Sequence, residues 1–343
     1  MERVQETVKV SVIVSVKNAE ERIERCLNSI QSQTYSDIEI LIVDAGSSDN
    51  SMELAQKAAE EDPRIRILDS SSENIYCSYN VGIDFCTGNY IMFVDAMDYL
   101  EPDTVQACVD NLREKPAQII CYGYNVIDDK GKVSQEVLPK MTLNFFRGEE
   151  VQTEFLPRLV CIDPDRGIKT RMAMTSHCAM FSTDLINRDD WQFDTESCSD
   201  IVSLLKLYKD VSVVGIVDRA LYNFTEADTP SICRKDFYTV KANFQKEVAL
   251  CRKIGYSNKV EKALRYYFIL CAFDILREIK YSDMPTRIRR QQLRTILEDS
   301  LLQKCIGQTE NDEMDQDIRL KFHKIARKQR HLIRRVAETV NVE

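Results

Sequence analysis

Apolar positions in the first hundred residues follow two alternating spacings. Nearly unbroken apolar, β-branched runs at residues 8–16, 38–43 and 90–94, with a shorter one at 65–68, have the character of strands buried on both faces. Between them apolar residues recur at helical spacing: Ile23, Cys26, Leu27 and Ile30, then Met52, Leu54, Ala55 and Ala58, then a helix over residues 77–85. Asn18 before Glu20 and Glu21, and the run Ser48-Asp49-Asn50-Ser51, supply capping side chains and acids suited to a positive helix end. Asp62-Pro63 and Thr87-Gly88-Asn89 stop the helices before them. This alternation predicts an α/β fold with a doubly wound, mostly parallel sheet.

After Pro102 the pattern predicts a helix at 105–112 and a strand at 118–124. A turn at Asp128-Asp129-Lys130-Gly131 then leads to a strand at 133–137. Periodicity weakens over 145–174, where Asp163-Pro164-Asp165-Arg166-Gly167 marks a loop. A short strand at 179–181, a helix at 200–208 and a strand at 211–217 follow. From Asp236 onward only helical patterns remain, carried by Phe244, Val248, Leu250, Leu264, Tyr267, Phe268, Leu270 and Leu276. Residues 307–317 are polar and acidic, and residues 319–335 hold eight Lys or Arg with no acid. Phe322, Ile325, Leu332, Ile333 and Val336 would share one side of a terminal helix. The chain thus divides into an α/β domain, residues 1–232, and a helical region, residues 233–343.

A formal net charge of -9 argues against a protein that coats nucleic acid. The twelve cysteines include no CxxC pair, and Cys26, Cys77, Cys86, Cys108 and Cys121 sit among apolar neighbours. That pattern predicts reduced core thiols and a cytoplasmic protein. No apolar signal-like stretch opens the sequence, and the longest apolar candidate, residues 267–275, is too short to span a bilayer. Gly46, Gly82 and Gly88 form no GxGxxG loop, and His177, His323 and His331 have no metal-ligand spacing, so neither set is assigned chemistry.

The candidate chemistry lies where two buried strands stop at aspartates. One reads Leu41-Ile42-Val43-Asp44-Ala45-Gly46-Ser47-Ser48-Asp49, the other Tyr90-Ile91-Met92-Phe93-Val94-Asp95-Ala96-Met97-Asp98. Ligands of open α/β sheets bind outside the carboxyl ends of the strands. The loops at 15–18, 44–47 and 95–98 are therefore expected to converge on one crevice.

Those residues also resemble a known family. Val10-Ser11-Val12-Ile13-Val14-Ser15-Val16-Lys17-Asn18-Ala19-Glu20, Cys26-Leu27-Asn28-Ser29-Ile30 and Gln33-Thr34-Tyr35 resemble the start of a family 2 glycosyltransferase. The segment from Val43 to Ser51 is similar to that family's DDGS/T-D stretch, and Asn80-Val81-Gly82, Thr87 to Ile91 and Phe93-Val94-Asp95 to its next block. The resemblance is dense over about the first hundred residues and looser to about Ile232. It implies a GT-A fold, a nucleotide-sugar donor (most often a UDP-sugar) and inversion at the anomeric carbon. It further implies that Ser15, Lys17, Asn18, Asp44, Gly46, Ser47 and Asp95 bind the donor. Asp200, opening a helix, would be the base that deprotonates a hydroxyl of a glycan or lipid-linked acceptor.

Five positions depart from the family pattern. Met97 stands where a D-x-D motif places a carboxylate, which leaves Asp95 and Asp98 to hold Mg²⁺ or Mn²⁺. Ala45, Lys17, Ala179 and Ser199 replace an aspartate, an aromatic residue, a lysine and a glutamate respectively. Leaving-group charge would then fall to Lys169, Arg171, Arg234 or Lys235. Two expectations follow: an active glycosyltransferase, or a catalytically impaired homologue acting as a nucleotide-sugar-binding or partner subunit. The basic segment 319–335 is expected to dock on a protein partner, within the chain or peripherally on a membrane.

Overall fold

The computed structural model describes residues 7–141, 143–160, 174–187, 191–196, 200–225 and 236–309. Strands β1 (Val10–Val16), β2 (Ile38–Asp44), β3 (Ile65–Asp69) and β4 (Tyr90–Asp95) lie parallel in the order β3-β2-β1-β4. Every residue of β1 is buried, as its two-sided apolar run requires. Ile13 points to the face covered by α3 (Ile75–Phe85), where it meets Tyr79 and Ile83. Val10, Val12, Val14 and Val16 point to the other face, with Ile23, Cys26 and Ile30 of α1 (Ile23–Gln31) and Ala55 of α2 (Ser51–Glu61). The two-residue period of a strand thus wraps the sheet on both sides. Gly82 lets α3 approach closely: a Cβ there would lie 2.3 Å from Ile13 Cγ2.

The second half of the sheet is mixed. β5 (Tyr99–Leu100) and α4 (Thr104–Glu114) lead to the hairpin of β6 (Ile119–Ile127) and β7 (Val133–Val137). β8 (Phe145–Arg147) and α5 (Leu156–Val160) follow. β9 (Ala179–Ser182) is wedged antiparallel between β4 and β6, before α6 (Thr183–Asn187), α7 (Asp200–Tyr208) and β10 (Val213–Thr225). The main path reads β3-β2-β1-β4-β9-β6-β10-β5.

β10 continues well past residue 217, where its apolar run stops. The pairing with β6 shifts register between Val217 and Tyr222, and Asp218 and Arg219 are exposed there. Arg219 reaches back to Asp103 at 2.8 Å, so polar residues interrupt the pattern without ending the strand.

Helices α8 (Phe237–Ile254), α9 (Asn258–Tyr281), α10 (Thr286–Leu297) and α11 (Ser300–Thr309) complete the described chain. Gly255, at φ 85°, supplies the left-handed turn between α8 and α9. Phe244 stacks on Phe268 with centroids 4.5 Å apart, and the Tyr256 hydroxyl donates to the Leu205 carbonyl at 2.6 Å. One apolar cluster runs from Ile13 and Phe93 through Leu205 and Tyr208 to Phe268 and Leu302, so these helices share the sheet's core. Among the described residues no helix is long and apolar enough to cross a membrane. The basic stretch 319–335 lies outside them.

At the amino-terminal edge of β1, β2 and β4, Glu39 forms a buried latch. Its carboxylate accepts hydrogen bonds from Ser11 Oγ, the Thr87 amide, Thr87 Oγ1 at 2.8 Å and the Gly88 amide at 3.1 Å, and Lys9 stands 3.3 Å away. Burial pushes this carboxyl up, but the bonds from Ser11 and Thr87 and the Lys9 charge outweigh it and hold the group below its ordinary value. A depressed carboxylate stabilises the fold above its unfolded pKa, about 4.3, and loses that contribution as pH falls through the folded value. Urea midpoints followed downward from pH 7 should therefore fall faster below about pH 4.3 for the natural chain than for Glu39→Gln. Parallel curves would show that the latch contributes no acid sensitivity.

Candidate active site

The carboxyl-terminal edge of the same strands gathers the acids. Asp44 lies in register with Val16, and Asp95 with Ser15, so the two aspartates flank the tip of β1. Each loop leaves the sheet by a backbone bond to β1: Ala45 N–H to the Val16 carbonyl at 2.8 Å, and Ala96 N–H to the Ser15 carbonyl at 3.0 Å. Asp44 Oδ1 accepts the Ser47 amide at 3.0 Å, a tight turn that Gly46 permits at φ 77°. Ser15 is 2% exposed, and its Oγ has no hydrogen-bond partner among the described residues, although it sits beside Asp95.

Residues expected to cap helices instead stitch these loops together. Asn18, itself in the left-handed region at φ 50°, accepts the Ser48 amide on Oδ1 at 2.8 Å. Asp49 accepts the Glu20 amide at 3.0 Å, and Ser51 Oγ accepts the Ala19 amide at 2.7 Å. Lys17 spans the mouth, with its Nζ 3.0 Å from the Glu73 carboxylate and 3.1 Å from the Glu73 carbonyl. Ser15, Lys17, Asn18, Asp44, Gly46, Ser47 and Asp95 thus lie around one edge.

Asp98 differs from its expected role as a metal ligand. The residue is 2% exposed, and its carboxylate accepts the Tyr222 hydroxyl and the Thr225 amide, each at 2.9 Å. Thr225 Oγ1 also donates to the Met97 carbonyl at 2.9 Å. Asp98 therefore ties the loop after β4 to the end of β10, with its oxygens turned inward. Asp95 Oδ1 accepts the Met97 amide at 2.9 Å. Among the described residues no three His, Cys, Asp or Glu groups are placed to hold a metal ion. A thioether at Met97 and a committed Asp98 fit an oxygen-seeking divalent cation poorly, and Asp95 alone keeps a suitable place.

Asp200 opens α7, as expected. Its Oδ2 accepts the Thr175 hydroxyl at 2.8 Å, the Ser176 amide at 3.1 Å and the Ser176 hydroxyl at 3.4 Å. The Thr175 oxygen lies 2.8 Å from His177 Nδ1, and His177 Nε2 lies 2.8 Å from the Tyr79 hydroxyl. Tyr79 comes from α3 and is fully buried. Burial, then the charges of Asp95 and Asp200, push its phenol well above the ordinary value. The His177 ring also packs on Tyr222, whose hydroxyl donates to Asp98 and accepts the Asp95 amide at 3.2 Å, and this links Asp200 to the edge that bears Asp95.

Sequence reasoning missed His177 and Tyr79, because it tested histidines only for metal-ligand spacing and took aromatic residues as core. The polar triplet Thr175-Ser176-His177, set between a weakly patterned region and a strand, was the available signal. The candidate cations Lys169, Arg171, Arg234 and Lys235 lie outside the described residues, as does Ser199.

Comparison with known proteins follows from this geometry. Residues 11–175 match Glycosyl transferase family 2. Just under half of the chain therefore carries the family 2 glycosyltransferase pattern.

Similar proteins include the uncharacterized glycosyltransferase EpsJ of Bacillus subtilis, 27% identical over 266 residues, or 75% of this chain and 74% of EpsJ. The glycosyltransferase GlyA of Streptococcus pneumoniae is 37% identical over 116 residues, which is 34% of this chain and 17% of GlyA. The putative glycosyltransferase EpsH of B. subtilis is 34% identical over 127 residues, 37% of each chain. The match therefore spans well under half of GlyA and of EpsH. Among solved structures, S. aureus TarS 1-349 in complex with UDP-GlcNAc superposes with a TM-score of 0.51 at 18% identity, covering 84% of this chain and 71% of TarS 1-349. The mannosyltransferase PcManGT from Pyrobaculum calidifontis, in complex with GDP-Man and Mn2+, gives 0.51 at 15% identity over 90% of this chain and 89% of that chain. These structures share the GT-A fold.

Proposed function

We propose that this family 2 glycosyltransferase moves a sugar, with inversion, from a UDP-sugar to a hydroxyl of a glycan or lipid-linked acceptor. The observation that carries this reading is that Asp44 and Asp95 flank the tip of β1 while Asp200 is linked through Thr175, His177 and Tyr222 to the Asp95 amide. Asp44, Asn18 and the turn at Gly46 and Ser47 would hold the nucleoside, with Asp95 toward the ribose and diphosphate. Asp200 would take the proton of the attacking hydroxyl, a step that needs a carboxylate within hydrogen-bond reach. The UDP-GlcNAc bound by TarS supports a UDP-sugar as donor.

The charge of the leaving group would fall to cationic side chains. Lys169, Arg171, Arg234 and Lys235 are the candidates that the sequence offers. If a divalent ion binds, Asp95 is the residue that would hold it, and the ion would neutralise diphosphate charge. A binding role without turnover has less support, since Asp200 keeps its place and its hydrogen bonds despite the departures at Ala45, Met97 and Ala179.

The test is UDP or GDP release from a panel of UDP- and GDP-sugars by the purified chain, with Mn²⁺ and with EDTA. UDP release from at least one UDP-sugar is expected, and none from any donor would defeat the reading. UDP affinity by calorimetry should change by less than about tenfold between the two buffers, because Asp98, the other candidate ligand, is committed to Tyr222 and Thr225. A larger gain would show that Asp95 and the diphosphate suffice to hold it.

A further inference from the structure

The hydrogen bonds around Asp200 form a line whose direction can be worked out from donor counts. Thr175 and Tyr79 each carry one O–H. The Thr175 proton has two possible acceptors, Asp200 Oδ2 and His177 Nδ1, both 2.8 Å away. The carboxylate is the stronger acceptor, so the hydroxyl donates to Asp200. The 2.8 Å contact with His177 then requires Nδ1 to carry a proton and donate it to Thr175 Oγ1. His177 Nε2, left bare, accepts the Tyr79 O–H. Tyr79 is suited to that end of the line, because burial and the nearby carboxylates keep its phenol protonated. The imidazole is also held by ring contacts, with centroids 5.8 Å from Tyr79, 5.6 Å from Tyr222 and 6.0 Å from Phe224.

We propose that His177 is a positioning residue for Asp200, fixed as the Nδ1–H tautomer between Tyr79 and Thr175 so that the Thr175 hydroxyl is committed to the Asp200 carboxylate. This rests on the reading of Asp200 as the base. The line fixes one oxygen, Oδ2, through three donors: Thr175 Oγ1, the Ser176 amide and the Ser176 hydroxyl. An oxygen so occupied cannot also accept the substrate proton, so the geometry assigns that proton to Oδ1. The arrangement joins α3, the short turn Ser176–Cys178 and the start of α7. The aim of the carboxylate is thereby set by Thr175 and Ser176, with His177 and Tyr79 behind them.

Two measurements on the full chain test this. Imidazole ¹⁵N spectra identify the tautomer, with His177→Gln marking the signal among only three histidines. The expected result is a protonated Nδ1 and a bare Nε2; an Nε2–H tautomer overturns the proposal. In the second, UDP release from the best UDP-sugar is compared across variants. Thr175→Val should lower kcat about tenfold or more, the loss expected for one hydrogen bond to a charged group, with the donor KM unchanged. Tyr79→Phe should lower it less, and Thr175→Ser should restore it. An unaltered kcat in Thr175→Val beside an inactive Asp200→Asn overturns this proposal alone. Near-normal release by Asp200→Asn overturns the base assignment and this proposal with it. Loss of donor affinity and thermal stability in Thr175→Val, without rescue by serine, reduces Thr175 to a packing role and also overturns it.

Discussion

Asp200→Asn is expected to lose sugar transfer while keeping donor affinity. The amide can still accept the Thr175 hydroxyl and the Ser176 amide, so the start of α7 should stay in place. What disappears is the ability to take a proton from the attacking hydroxyl in the transition state. General-base removal costs roughly two to four orders of magnitude in turnover. A base acts on the acceptor, so the loss should appear in kcat, with UDP affinity and unfolding midpoint held. Turnover within a few-fold of the natural chain would remove Asp200 from the mechanism.

Asp44→Ala should weaken UDP binding about tenfold to a hundredfold, the range for a lost hydrogen bond to a charged acceptor. Part of that loss would be indirect, because Asp44 Oδ1 also holds the Ser47 amide and so shapes the turn at Gly46. Asp44→Asn separates the two contributions, since an amide oxygen can keep the turn while the charge is gone. Calorimetry with UDP alone is the measurement, and unchanged affinity in both folded variants would place the nucleoside elsewhere.

The first four strands and their aspartate tips were legible because two-sided burial writes a continuous apolar run and a loop aspartate ends it. Both features are local. Asp98 was misread for the opposite reason: its partners, Tyr222 and Thr225, are far along the chain, and no local pattern announces them. β8 pairs only through a three-residue stretch, too short for a period, and β10 hides its length behind a polar bulge. The Tyr79–His177–Thr175–Asp200 line draws on α3, a turn and α7, so its members look like unrelated core and cap residues until the fold brings them together. The strand-tip aspartates were therefore readable in the first hundred residues, and the hydrogen bonds around Asp200 were not.

The tie between Asp98 and β10 also sets an order of assembly. The segment that matches the family ends at residue 175, and it contains both strand-tip aspartates but neither Tyr222 nor Thr225. Until β10 docks beside β6, Asp98 is without the Tyr222 hydroxyl and the Thr225 amide, two donors to its carboxylate, and a buried carboxylate that loses donors is costly. The loop bearing Asp95 and Met97 therefore takes its final shape only after a pairing across more than a hundred residues, which is among the slower contacts to form. A nascent chain can complete the parallel half of its sheet while its crevice is still unfinished. The shape of the loop at residues 95–97 then depends on β10, the last strand among the described residues.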